Sequence, residues 1–215
     1  LTSQGGQQLT LLDDFPAKRL PPSAGDVKRL YLEHALMVSD VAVTLEQSHG
    51  GAARLLHEHE LALPSRLDES RQPFVWGVDV TPQLRIGLQP DKVFGLQTNG
   101  DESPALIFLE ADRGTMPVTR AGLAQSSFFR KLLAYQATWT QGVHRSRFGF
   151  PRFRVLTVTS SPERVRHLVK ACQRLERGHR LFLFADRDTF LARPDPFTAP
   201  LLNGKGEQDS LANAQ

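Results

Sequence analysis

The run Pro90-Asp91-Lys92-Val93-Phe94-Gly95-Leu96, the pair Asn99-Gly100 and the run Ala105-Leu106-Ile107-Phe108-Leu109-Glu110-Ala111-Asp112 decide the fold. Two short apolar runs with Asn-Gly between them predict a β-hairpin, and Leu84-Arg85-Ile86-Gly87-Leu88 reads as a further short strand before it. Asp91 then enters one strand where Glu110 leaves its antiparallel neighbour, which sets the two carboxylates side by side. Side chains two apart on a strand share a face, so Asp112 points with Glu110 if the strand persists that far. After a break at Gly114 and Pro117, Ser126 or Ser127 can cap a helix running to about Thr138. On it, Lys131 and Tyr135 share a face at i, i+4.

Carboxylates in this order suit a hard divalent cation, since Mg²⁺ takes oxygen ligands and is commonly held by one or two carboxylates with waters and substrate phosphates. Such a cation acidifies an attacking water and neutralises charge on a scissile phosphate, and a lysine adds a mobile positive charge to the same transition state. Asp91, Glu110 and Asp112 are therefore candidate ligands of Mg²⁺ or Mn²⁺. Lys131 is a candidate for orienting water or stabilising charge, and Tyr135 for orienting Lys131 or contacting a phosphate. Each short motif, taken singly, reads equally as a turn aspartate or a solvated strand edge.

Outward from the hairpin, residues from Gly25 to about Gln47 form a leading helix. Leu30, His34, Val38, Val41 and Leu45 make its apolar stripe, with His34 as a core or rim histidine, and Glu33 and Asp40 lie on a common face. Downstream, Arg154–Thr159 reads as a buried strand and Ser161-Pro162-Glu163 as a capped helix start. That helix should reach about Arg177, with Gly178 as its stop, before a strand over Arg180–Ala185. Strand, helix and strand predict a parallel βαβ unit joined to the hairpin, hence an α/β fold with a mixed β-sheet flanked by helices. Residues 186–200, with Pro194, Pro196 and Pro200, read as a clamp or loop, and 201–215 as a polar disordered tail. His57-Glu58-His59-Glu60 places two histidines on one strand face, but zinc needs three or four convergent ligands and no third is evident. Trp76 is expected to cover the core.

Pro90-Asp91, the acid-rich strand end and a nearby lysine resemble the PD-(D/E)XK nuclease superfamily, with a restriction-endonuclease-like core. The lysine expected two residues after Glu110 is replaced by Asp112, and Lys131 would be a lysine migrated to the next helix. More narrowly, Leu1-Thr-Ser-Gln-Gly5, Leu32-Glu-His-Ala-Leu-Met-Val-Ser-Asp40, Pro90-Asp91, Leu109-Glu-Ala-Asp-Arg-Gly-Thr115 and Lys131-Leu-Leu-Ala-Tyr135 resemble the replication-relaxation family of bacterial plasmids and other mobile elements. That resemblance implies a role in plasmid replication and DNA relaxation, with DNA and other replication or mobilisation proteins as partners. It also implies that residues 1–24 are a remnant at the exit of an upstream winged-helix domain, followed by a nuclease-like domain over 25–200. Related nucleases often bring an acid from the leading helix to the metal, which makes Asp40 or Glu33 a secondary candidate.

Charge is unevenly placed along the 215 residues: 1–112 hold nine Lys/Arg and sixteen Asp/Glu, whereas 113–180 hold fourteen against two, a local charge of +12. Such a block attracts polyphosphate backbones. Within it, Arg145, Arg147, Arg152 and Arg154 alternate with His144, Phe148, Phe150 and Phe153, either as phosphate contacts interleaved with stacking platforms or as solvated arginines beside core phenylalanines. Arg113 and Arg130 are further candidate DNA contacts. Composition, 40% hydrophobic and 23% charged, is that of an ordinary globular domain, and no apolar run approaches the ~20 residues of a membrane helix. The lone Cys172 excludes an intramolecular disulfide and suits a reducing cytoplasm. Three functions follow: metal-dependent cleavage or nicking of DNA, DNA binding by a catalytically inactive accessory protein, and a scaffold whose basic block meets an acidic protein.

Overall fold

In a computed structural model, residues 24–48, 53–68, 70–98 and 102–213 are described. In chain order they form α1 (Ala24–Glu46), β1 (Ala53–Leu56), α2 (Ser65–Asp68), β2 (Trp76–Thr81), β3 (Leu84–Leu88), β4 (Lys92–Thr98), β5 (Ala105–Asp112), α3 (Phe128–Thr140) and α4 (Val143–Ser146). Then come β6 (Phe153–Thr159), α5 (Pro162–Cys172), β7 (Phe182–Asp186), α6 (Arg187–Leu191), β8 (Leu201–Asn203) and β9 (Gln208–Asp209). Backbone contacts divide the chain into residues 1–33 and 34–215. The described part of the first unit is the opening of α1, where Arg29 and Glu33 pair at 3.4 Å. The expected winged-helix exit at residues 1–24 lies, but for Ala24, outside the described residues, as does the Asn99-Gly100 turn.

All the remaining elements belong to the second unit. Seven strands form a mixed sheet in the order β1-β4-β5-β6-β7-β8-β9, and β2 and β3 make a separate hairpin. β4 and β5 are antiparallel as the sequence predicts, with Lys92 opposite Leu109. The β6-α5-β7 unit is parallel, and β6 also runs parallel to β5. One expectation changes: β3 pairs with β2 rather than joining the main sheet.

Alternation along β5 sorts its side chains between two cores. Ile107, Leu109 and Ala111 pack with Val41 and Leu45 of α1, while Leu106 and Phe108 pack with Leu132 and Tyr135 of α3 and Leu168 of α5. Phe108 is fully buried among Trp76, Tyr135 and Phe153, with ring centroids 5.2, 5.7 and 5.4 Å away. Truncating such a ring to alanine costs about 3–5 kcal/mol. Glu110 and Asp112 continue the Phe108 face, so the buried sheet delivers them toward α3 and α5. Trp76 covers that core and donates from Nε1 to Thr138 Oγ1 at 2.9 Å.

Three downstream expectations are corrected. The 201–215 stretch is ordered through Asn213: β8 and β9 extend the sheet, and Asp209 pairs with the buried Arg154 guanidinium, whose Nη1 also donates to Ser210 O at 3.0 Å. A polar tail is held because a buried arginine needs its carboxylate. The proline-rich segment contains a true helix, α6, capped by Asp186, whose side chain accepts from Thr189 N. Finally, Glu58–Glu60 form a 3₁₀ turn instead of a strand, with the His57 and His59 rings stacked 5.7 Å apart.

Candidate functional site

Asp91 stands where β4 begins. Its backbone N–H donates to Leu109 O at 3.0 Å, and its Oδ2 accepts the Ala111 N–H at 2.7 Å, so the two strands fix its carboxylate against the end of β5. Oδ1 lies 3.1 Å from Nε2 of His34 on α1. The sequence places His34 in the apolar stripe as a core or rim histidine; the structure makes it the partner of Asp91. The missing signal is the direction of α1 across the sheet, which no local pattern encodes.

Glu110 is 1% exposed. Tyr135 Oη donates to its Oε1 at 2.7 Å, and Lys131 Nζ forms an ion pair with its Oε2. The i, i+4 spacing on α3 is what lets one helix face supply both groups. Burial pushes the Glu110 carboxyl above its usual range, with the Lys131 charge opposing and the Asp91 charge adding to the shift. Burial also raises the Tyr135 phenol far above its usual value, reinforced by Glu110, so Tyr135 remains a neutral donor. For Lys131, burial pulls downward, but the charge and hydrogen bond of Glu110 prevail and the value rises, so the lysine stays an ammonium. Its side chain remains 32% exposed and faces a cleft of about 240 Å³ that is also lined by His34, Asp91, Arg113 and Thr115.

Asp112 lines the same cleft but is held elsewhere. Arg164 reaches it from α5 through Nε at 2.7 Å and Nη2 at 3.1 Å, and Thr159 at the end of β6 donates at 2.9 Å. Both of its oxygens are engaged in joining β5, β6 and α5. Arg164 escaped sequence reading although Ser161 does cap α5, accepting from Arg164 N at 3.2 Å. The third position of that capped helix, following a parallel strand, is the only local hint of its role.

Asp40, the secondary ligand candidate, pairs with Arg187 at 2.5 Å and does not line the cleft. Glu33 pairs with Arg29 in the first unit. The proposed stacking platforms are core: Phe148, Phe150 and Phe153 are buried. Each interleaved arginine has a partner within the fold: Arg147 donates to Val75 O, Arg152 to Ser103 O and Arg145 to Pro151 O, and buried Arg154 pairs with Asp209. Phenylalanine spacing in that segment follows the packing of α4 and β6, not a ligand. Arg130 donates to Ala124 O, whereas Arg113 lines the cleft.

Among the described residues no group of three or more His, Cys, Asp or Glu is arranged to hold a metal ion. Two carboxylates, Asp91 and Glu110, line the cleft; Asp91 is held by the Ala111 N–H on one oxygen and His34 on the other, and Glu110 by Tyr135 on one and Lys131 on the other. Mg²⁺ and Mn²⁺ are commonly held by one or two carboxylates with waters and substrate phosphates, so two carboxylates fall short of an all-protein cage. No helix among the described residues is long and apolar enough to cross a membrane. The family model of replication-relaxation proteins matches residues 1–152, a span that contains Asp91, Glu110, Lys131 and Tyr135 and stops short of α5. No curated protein and no solved structure matches the chain.

Proposed function

Because the chain belongs to the replication-relaxation family, we propose that its acid–lysine cleft cleaves or nicks phosphodiesters of DNA during replication or relaxation of a plasmid or other mobile element. The observation that carries this reading is the convergence of Asp91, Glu110 and Lys131, from two strands and a helix, on one cleft. Their order along the chain resembles that of a PD-(D/E)XK site with its lysine supplied from α3 in place of the position of Asp112, which supports the reading.

Asp91 and Glu110 would hold Mg²⁺ or Mn²⁺, which supplies an acidified water and charge neutralisation at phosphorus. Lys131 places an ammonium at the cleft, where it binds a non-bridging phosphate oxygen and stabilises charge as the phosphorane forms. Tyr135 holds Glu110 from the buried side and keeps its second oxygen directed at Lys131. The Ala111 N–H and His34 hold Asp91 in a single orientation.

Nicking of supercoiled DNA in Mn²⁺ tests the reading. Asp91→Ala and Glu110→Gln should each lower the rate by at least about a hundredfold, comparable to losing a charge-stabilising group, while the fold survives. Retained nicking in both variants overturns the assignment.

A second reading, a catalytically inactive DNA-binding accessory protein, is favoured by the position two after Glu110, where Asp112 is locked by Arg164. It is distinguished by DNA binding with neither metal uptake nor turnover.

A further inference from the structure

Three of the fourteen Lys/Arg of 113–180 are tied to internal carboxylates: Lys131 to Glu110, Arg154 to Asp209 and Arg164 to Asp112. Two of the block's exposed cations, Lys170 and Arg174, meet on one groove at and just beyond the end of α5. His167, Lys170 and Arg174 recur at i, i+3 and i+7, are all exposed, and line one groove of about 450 Å³ with Val118, Thr119 and Arg164. Lys170 and Arg174 form no ion pair with a carboxylate among the described residues. Arg174 instead lies over the Phe129 ring at 4.7 Å, which steadies the guanidinium and keeps its charge.

The opposite wall is equally fixed. Carbonyls of Pro117 and Val118 accept the first α3 amides, Phe128 N and Phe129 N, both at 2.9 Å, so the 117–119 segment is bound to α3 and not left as a loose loop. Arg164 then links groove to cleft: it lines the groove, donates to Met116 O at 2.6 Å and clamps Asp112, and both Met116 and Asp112 line the cleft. A polyanion seated on α5 therefore lies next to the acid–lysine cleft.

We propose that this groove is the docking track for the sugar-phosphate backbone of duplex DNA, presenting one strand to the cleft. The proposal rests on the reading of the cleft as a DNA-processing site. Cationic side chains at fixed spacing supply the counterion release that drives backbone binding. Among the described residues no Phe, Tyr or Trp lines the groove, Phe129 lies under the Arg174 guanidinium, and the phenylalanines 148, 150 and 153 are buried, so stacking platforms of the kind single strands use are scarce there. Duplex, read through its phosphates, is the form that fits.

Fluorescence anisotropy with a labelled duplex tests this on the full chain. In His167→Ala/Lys170→Gln/Arg174→Gln, affinity should fall at least about tenfold at ~0.1 M salt, and the slope of log K against log salt should drop by roughly two, one for each lost phosphate contact. Arg54→Gln/Arg85→Gln, which removes the same formal charge outside the groove, should change affinity less than about twofold. Equal losses in the two variants, unchanged affinity in the groove variant, no duplex binding by the wild type, or tighter binding of single strands would each overturn the proposal. Mn²⁺ uptake is measured separately: it should persist in the groove variant, so failure of the track and failure of the cleft give different results.

Discussion

Arg164 Nε reaches Asp112 Oδ2 across 2.7 Å, and the two residues, 52 apart in sequence, tie α5 to the end of β5. Both side chains are nearly buried, at 13% and 5% exposure. Breaking such a pair leaves a nearly buried charge without its partner. Arg164→Met is therefore expected to cost about 3–5 kcal/mol in urea unfolding, whereas Arg164→Met/Asp112→Leu should recover most of that loss. A loss below about 1 kcal/mol in the single variant would show that the clamp behaves as an exposed pair.

His34 touches Asp91 and nothing in the proposed chemistry directly, so it is a positioning residue. His34→Ala should weaken Mn²⁺ binding or slow nicking by about 10- to 100-fold, the range for lost partners of metal ligands. His34→Asn, which retains a donor, should restore much of the effect. An alanine variant with wild-type metal affinity and rate would remove His34 from the site.

Lys131 is raised above its ordinary value of 10.5 because Glu110 outweighs its burial. A cation whose folded value is raised contributes stability that is complete below its unfolded value and is lost as pH climbs through the folded one. Wild type should thus lose more stability than Glu110→Gln as pH climbs above the ordinary lysine value of 10.5. Thermal melts across that window check the difference; parallel curves would mean that the pair contributes nothing to the alkaline limb.

The C-terminal stretch should prove part of the folded unit. Truncation after Asn203 removes Asp209 and Ser210, and Arg154, 7% exposed in its side chain, is left buried without a counter-charge. The expected cost is about 3–5 kcal/mol, or failure to fold. Asp209→Asn should lose part of that stability, and unfolding curves identical to wild type for both would contradict the ordered tail.

Local signals carried the hairpin, the α3 face and the βαβ unit, because strand alternation, helix spacing and the Ser161 cap act over a few residues. That is why Asp91, Glu110, Lys131 and Tyr135 could be expected to meet. His34, Arg164 and Asp209 could not be foreseen as partners: each pairs with a residue at least 52 positions away, and a charge pattern names the need for a counter-ion without naming its source. For the same reason the Arg and Phe alternation of 145–154 resembled a nucleic-acid surface. Buried phenylalanines and backbone-capping arginines produce the same string of letters, and burial alone separates the two.

Calorimetric titration of Mn²⁺, with and without duplex DNA, tests the cleft most directly because it depends on no choice of cleavage site. One cation should be taken up by the wild type, more tightly when DNA supplies phosphate ligands, and none by Asp91→Ala or Glu110→Gln. Absence of uptake by the wild type in both conditions, or undiminished uptake by both variants, would contradict a metal-holding site at Asp91 and Glu110.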